Sequence, residues 1–360
     1  MEKNKKIKTL FFIILAMIAI IILNLVLDNY KVRILNLCFI YIILGLSMNL
    51  IYGFTGLFTL GHAGFMAIGA YTVAILTMTT EMKQMTYYME PMVPFLENLN
   101  APFFIAVLAG GLIAALFGFL IGAPVLKLTD DYLAIATLGF SEIIRIVIIN
   151  MQSITNGALG LKGVPPKTNE GIVNFLNDNL GLGLRPSINL LWAGIAAIVT
   201  IVFIYLLIQS SYGKAFKAIR EDEVAAQSMG INLFKHKVLS FTIGSFFAGV
   251  GGGLLAVSLG TIDPTLFKFS LTWNIILIVV LGGMGNIKGT VISACLVTIA
   301  MEALRFLDQP LNLGFMETPA MPGLRMVVFS IILMAAVIFK REDSPLKYTL
   351  EKARGKYAKN

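Results

Sequence analysis

The chain has 360 residues, 57% of them hydrophobic and only 13% charged, with a mean hydropathy of +0.83 and a formal charge of +8. So little charge cannot clothe a soluble domain, and the composition indicates an integral membrane protein. The basic excess does not indicate nucleic acid, because Lys and Arg gather at the termini and in one internal stretch without the interleaved aromatics of such surfaces.

Four lysines within residues 1–9 precede an apolar run at about 10–27. That run is longer than a signal-peptide core and lacks the small residues of a cleavage site, so an uncleaved first span is expected. Further runs near the length that crosses about 30 Å of hydrocarbon lie at about 34–52, 58–79, 103–126, 132–150, 189–209, 238–260, 270–283, 289–306 and 323–340. The expected fold is therefore an all-α membrane protein of about ten spans. The run at 270–283 ends in "LGGMGNIKG", and a re-entrant segment is the alternative there. No two-residue alternation supports a membrane β-barrel.

With the N-terminus inside, cytoplasmic segments hold about 18 of the 28 Lys and Arg and outer segments about 7. The positive-inside rule then places both termini in the cytoplasm. The organisation expected is a basic N-terminus at 1–9, a transmembrane domain at 10–340 that includes a cytoplasmic loop at 211–237, and a polar cytoplasmic tail at 341–360. The outer loops at 80–102 and 151–188 carry Pro91, Pro94, Pro165, Pro166 and the turn cluster "TNGALGLKG", which favour irregular structure over another domain. Cys38 and Cys295 stand singly in apolar runs, so neither a disulfide framework nor a metal site is expected.

The loop "SYGKAFKAIREDEVAAQSMGINLFKHK" combines charge with a helix signal. Asp222 is placed to cap a helix of about two turns, Glu223 sits in its first turn and Gly230 ends it. So short a helix is stable only when flanking spans or a partner hold it. Ala225, Ala226 and Ser228 give it small side chains, and Lys214, Lys217, Arg220, Lys235 and Lys237 surround it with positive charge. From composition alone two readings stay open, an ordinary basic loop and a docking helix.

The pattern Tyr212, Gly213, Lys214, Ala215, then Arg220, Glu221, Asp222, Ala225, Ala226, Gly230 and Ile231 resembles the cytoplasmic coupling loop of ABC-importer permeases. "GLSMNLIYGFTGLFTLGHAGFMAIGAYTVAIL", "DDYLAIATLGFSEIIRIVIIN", "TNGALGL" and "VVLGGMGNIKGTVISA" follow in the order found in branched-chain amino acid permeases of the LivM type. The resemblance covers about 34–340. It implies a transport subunit rather than an enzyme, in the plasma (inner) membrane of a bacterium. The partners it implies are a second homologous permease, two cytoplasmic ABC ATPases, an extracytoplasmic substrate-binding protein and membrane lipid. This chain is expected to bind no cofactor itself, with ATP and Mg held by the ATPases. It has no GxxxxGK[ST] phosphate loop. Permeases of related sugar or nucleoside importers share the loop and remain an alternative. An ion-coupled secondary transporter is the more distant one, since it would need no docking helix.

Charges within spans are costly and face an interior or a water path. Glu142 with Arg145, and Glu302 with Arg305, stand at i and i+3 and can meet on one helix face. Each pair either neutralises itself or meets the charges of a passing zwitterion. His62 and Gly61, in "LGHAGF", are read as packing positions with a pathway role as the alternative. The glycines of "YGFTGLFTLGHAG" either permit close helix crossing or mark a broken helix. Asn286, in "GGMGNIKG", belongs to a turn at the membrane edge or to the pathway.

Overall fold

The computed structural model describes residues 17–128, 130–165, 170–181, 190–308, 323–324 and 327–331. In chain order these form α1 (Met17–Val26), α2 (Asn29–Met48), which continues as a π-helical turn over Asn49–Phe54, α3 (His62–Thr77), α4 (Thr80–Thr86) and α5 (Pro94–Glu97). There follow α6 (Phe103–Val125), α7 (Asp130–Asn150), α8 (Gln152–Thr155), a two-residue β1 (Leu161–Lys162) and α9 (Glu170–Leu180). The chain continues with α10 (Leu190–Gln209), α11 (Ser211–Glu221), α12 (Glu223–Ser228), α13 (Leu233–Leu259), β2 (Thr261–Ile262), α14 (Phe269–Gly282) and α15 (Ile287–Ala303).

Among the described residues, five helices are long and apolar enough to cross a membrane: Asn29–Phe54, Phe103–Val125, Tyr132–Asn150, Leu190–Gln209 and Leu233–Leu259. A sixth counts if α3 and α4, bent by 119° at their junction, make one span. The expected span at 10–27 is described from residue 17, where α1 is a shorter apolar helix, and that at 323–340 falls mostly outside the described residues. The run expected at 58–79 is interrupted, because α3 starts only at His62 and has 16 residues, about 24 Å of helix. The 14-residue α14 is likewise short.

α6 shows the packing of a lipid-facing helix, with small side chains inside and large ones outside. Along α6, Ala106, Gly110, Ala114 and Gly118 are buried, while Phe104, Leu112, Leu116 and Leu120 are each more than half exposed. Without a hydrophobic drive between helices in lipid, close backbone approach supplies the contact. One such crossing joins α3 and α13, where a Cβ on Gly69 would lie 2.1 Å from the carbonyl oxygen of Gly249. α6 crosses both nearby, since a Cβ on Gly110 would lie 3.0 Å from the Gly69 carbonyl oxygen.

The chain divides into two compact units, residues 1–295 and 296–360. In the first, one end is closed by an antiparallel β1–β2 ribbon that pairs Leu161 with Ile262. At this ribbon end Lys83 is buried, and its ammonium donates to the carbonyls of Leu96 (2.8 Å), Glu97 (3.3 Å) and Leu99 (2.7 Å). The Tyr87 hydroxyl donates to the Ile154 carbonyl, tying together the two loops that the sequence marks as outer. In the second unit, Arg305 bonds Glu302 at 2.9 Å and the Gly323 amide donates to Asp308 Oδ1.

Candidate functional site

At the end of the first unit opposite the ribbon, three irregular segments converge. The first is the break between α2 and α3. After Met48 the winding widens to a π-helix, whose longer repeat leaves carbonyls in need of donors. Leu50 is supplied by the hydroxyls of Thr55 (3.0 Å) and Ser240 (3.3 Å). Residues 55–61 are not helical, and the amides that restart the chain as α3 bond to threonines: Leu60 to Thr137 (3.1 Å), Gly61 to Thr59 (3.3 Å) and Ala63 to Thr272 (3.0 Å). Both readings of this glycine stretch hold, since the helix is broken and its glycines also allow close contact. A Cβ on Gly61 would lie 2.7 Å from the Thr137 carbonyl oxygen.

The second segment is the turn 283–286 between α14 and α15. Gly283 and Gly285 both have positive φ, 88° and 75°, a region that strongly favours glycine. Asn286 is exposed and its Oδ1 accepts from the Gly289 amide at 3.1 Å, which makes it a cap for α15. The two breaks are joined by Asn49: its Oδ1 accepts from the Gly285 amide (2.9 Å) and its Nδ2 donates to the Thr290 hydroxyl (2.9 Å).

The third segment is α11 with α12. The short helix forms as the sequence indicates, over Glu223–Ser228. Asp222 is extended and its Oδ1 accepts from the Ala225 amide at 2.8 Å. At the other end Gly230 has φ +81°, its amide bonds the Gln227 carbonyl, and the Ile231 amide bonds the Ala226 carbonyl, which is a Schellman closure. The sequence reading missed the 11-residue α11 before it, which is amphipathic: Gly213, Ala215, Phe216 and Ile219 are buried while Lys214 and Lys217 are exposed. That spacing was the available signal. A Cβ on Gly213 would lie 2.3 Å from Ile208 Cα, so glycine lets α11 turn closely off α10.

The expected small surface of α12 divides in two. Ala226 is buried and Ala225 exposed, and the outward face carries Val224, 75% exposed, with Met229 just past its end, 83% exposed. Glu223 pairs with Lys237 and anchors α12 to α13, while Glu221 and Asp222 are exposed. Arg220 turns the other way, and its Nη1 donates to the Gly53 carbonyl at 2.7 Å.

Of the other residues singled out by sequence, the two ion pairs close within their own elements and His62 flanks the first break. Arg145 Nε meets Glu142 Oε2 at 2.7 Å within α7, and Glu302 with Arg305 closes the same way in the second unit. His62 is buried at the start of α3, with Nε2 2.9 Å from Ser47 Oγ. Because Ser47 donates to the Leu44 carbonyl (2.7 Å), its oxygen accepts from His62 Nε2, leaving Nδ1 an acceptor without a partner among the described residues.

The convergence sets a capped, outward-facing helix beside two helix breaks, an arrangement suited to passing on displacement. A family model described as "Branched-chain amino acid transport system / permease component" matches residues 30–337. The chain belongs to this family. It is accordingly a transport subunit and a multi-pass membrane protein. The high-affinity branched-chain amino acid transport system permease protein LivM of Escherichia coli K12 is 35% identical over 313 residues, covering 83% of this permease and 69% of the relative. LivM of Salmonella typhimurium is 36% identical over 289 residues, 76% of this chain and 64% of the relative. This permease thus spans about two thirds of those two LivM proteins. The corresponding LivH protein of Salmonella typhimurium is 26% identical over 270 residues, 73% of this chain and 81% of its own. No solved structure matches the chain.

Proposed function

We propose that this permease is the subunit through which an ATP-driven importer carries branched-chain amino acids, leucine, isoleucine and valine, across the bacterial plasma membrane. Its fold is completed to about ten spans with both termini in the cytoplasm. The likeness to LivM, and the weaker one to LivH, supports pairing with a second, homologous permease. Two ABC ATPases dock on the α11–α12 end and hold the ATP and Mg, and an extracytoplasmic binding protein delivers substrate to the ribbon end. The basic cluster of Lys214, Lys217, Arg220, Lys235 and Lys237 supports a cytoplasmic position for that segment.

The observation that carries this reading is the built character of α12. A six-residue helix is marginal in water, yet this one is capped at both ends, seated through Ala226 and tied by Glu223, while Val224 and Met229 point outward. Exposed apolar side chains in a charged setting fit a partner groove. Gly213, Lys214, Glu221, Asp222, Ala225 and Gly230 shape and flank that surface, and Ala226 holds it down.

Transport then follows alternating access. ATP closes the ATPases, α12 is displaced, and the path between the two permeases opens outward and then inward. Glu142 with Arg145 and Glu302 with Arg305 are assigned to self-neutralised pairs, Gly61 and His62 to packing, and Asn286 to capping.

The test is capture of the tagged permease from detergent, scored for ATPases and for the second permease. Ala225→Trp, at an exposed position, is expected to lose the ATPases and keep the second permease. Absence of ATPases from an otherwise intact wild-type complex would overturn the importer reading.

A further inference from the structure

The cytoplasmic segment touches the broken helices through one directional contact. Most of the α11 seat is apolar, through Phe216 and Ile219, and Lys217 lies over the Phe54 ring with its ammonium 6.0 Å from the centroid. Neither kind of contact fixes a direction. Arg220 differs, because its stem lies against the Gly56 turn and its guanidinium against Gly285. Nη1 donates to Gly53 O at 2.7 Å. A Cβ on Gly285 would lie 2.6 Å from the same Nη1, and a Cβ on Gly56 would lie 3.2 Å from Arg220 Cγ.

The carbonyl it holds belongs to the π-helical turn, where the regular helix ends and no following helical amide is in place. Gly53 in turn abuts the second break, since a Cβ there would lie 2.6 Å from the Gly285 nitrogen. Asn49 closes the circuit by bonding both the Gly285 amide and the Thr290 hydroxyl. The order of contact runs from α11 through Arg220 to the end of α2, and from there through Asn49 to the start of α15.

We propose that Arg220 is the positioning residue that links movement of α11 and α12 to both helix breaks, so that one displacement turns the α2 end and the 283–286 turn together. The proposal rests on the importer reading for its purpose but not for its mechanics. Arg220 is partly exposed and its Nη2 pairs with Glu221 at 3.6 Å, but its Nη1 bonds the Gly53 carbonyl and it is no part of the Val224 and Met229 surface. Its loss therefore separates ATP hydrolysis from transport rather than ATPases from permease. Gly56 (φ +83°) leaves room for the Arg220 stem and Gly285 (φ +75°) for its guanidinium.

Two measurements test it. In the complete importer reconstituted in vesicles, uptake per ATP hydrolysed is compared for the wild type, Arg220→Met and Arg220→Lys. Methionine keeps an apolar stem over Gly56 and removes the donor, whereas lysine restores a cationic donor for Gly53 O. The expectation is at least a tenfold fall in uptake per ATP for Arg220→Met with the ATPases still bound, and recovery of at least half by Arg220→Lys. In the full-length permease alone, amide hydrogen exchange should rise at least tenfold at Gly285 and Thr290 in Arg220→Met and stay unchanged at the β1–β2 ribbon.

Unaltered exchange at 285–290 overturns the linkage whatever the complex does. Unaltered uptake per ATP overturns its role in transport, and loss of the ATPases from Arg220→Met makes Arg220 a docking residue, which also overturns it. Absence of ATP-dependent uptake by the wild type is instead the failure of the importer reading, and the exchange measurement still decides the linkage.

Discussion

Both ends of the residue 1–295 unit place a cation against backbone carbonyls, and they do so in opposite ways. At the ribbon end Lys83 is 1% exposed and bonds three carbonyls, all within 16 residues along the chain. At the other end Arg220 makes one carbonyl bond across 167 residues, and its side chain is 36% exposed. A buried ammonium with three acceptors is a lock, because any shift strips several charge-assisted bonds at once. A single carbonyl bond reaching a helix break is a joint, since a shift has only that one carbonyl bond to exchange. Similar chemistry thus yields a fixed end and a movable one, and the difference lies in how many partners the cation has and how far away in sequence they are.

The sharpest way to break this comparison is Lys83→Met. It takes the ammonium from three carbonyls, of which that of Leu96 keeps the Leu99 amide, and a buried group left unmet costs about 1–3 kcal/mol. A clear fall in the thermal unfolding midpoint in detergent and faster proteolysis between 87 and 99 are expected, with little change in midpoint for Arg220→Met. Equal losses from both variants would erase the distinction between lock and joint.

A smaller effect should come from Asp222→Ala, which removes the α12 cap at a cost of about 1 kcal/mol. The expected result is weaker retention of ATPases through detergent washing, with the unfolding midpoint nearly unchanged. Retention at the wild-type level would mean that α12 needs no preformed geometry to dock.

The smallest effect on stability belongs to Val224→Ala. Val224 is 75% exposed, so stability should move by less than about 0.5 kcal/mol. ATPase capture should nevertheless fall, as for a side chain that becomes buried only against a partner. A large stability loss with capture intact would place Val224 in the fold rather than at the docking surface.

Much of the movable end was legible in the sequence. Asp222, Glu223 and Gly230 announce a capped helix because caps and left-handed turns are local requirements, met within a few residues. The pairs Glu142 with Arg145 and Glu302 with Arg305 were legible for the same reason, as helix pitch alone brings i and i+3 together. α11 was harder, because its polar side chains obscure a buried stripe of Phe216 and Ile219 that is meaningful only once α10 and α13 lie beside it. The break between α2 and α3 was legible as one of two readings of "YGFTGLFTLGHAG", whereas the π-helical winding that starts at Asn49 lay inside an apolar run and was not. The buried state of Lys83 was not legible either, since it depends on carbonyls of 96–99 folding back over it.

By itself the sequence determined that this chain lives in a membrane, which ends of its helices are capped and where its glycines cluster. Those are matters of composition and of spacing over a few residues. Only the tertiary structure decided that Asn49 would bridge to Gly285 across 236 residues, that Arg220 would find the Gly53 carbonyl, and that α3, α6 and α13 would cross on glycine. The physical reason is that a carbonyl freed by a helix break takes whichever donor the packing brings to it, and packing depends on all the helices at once.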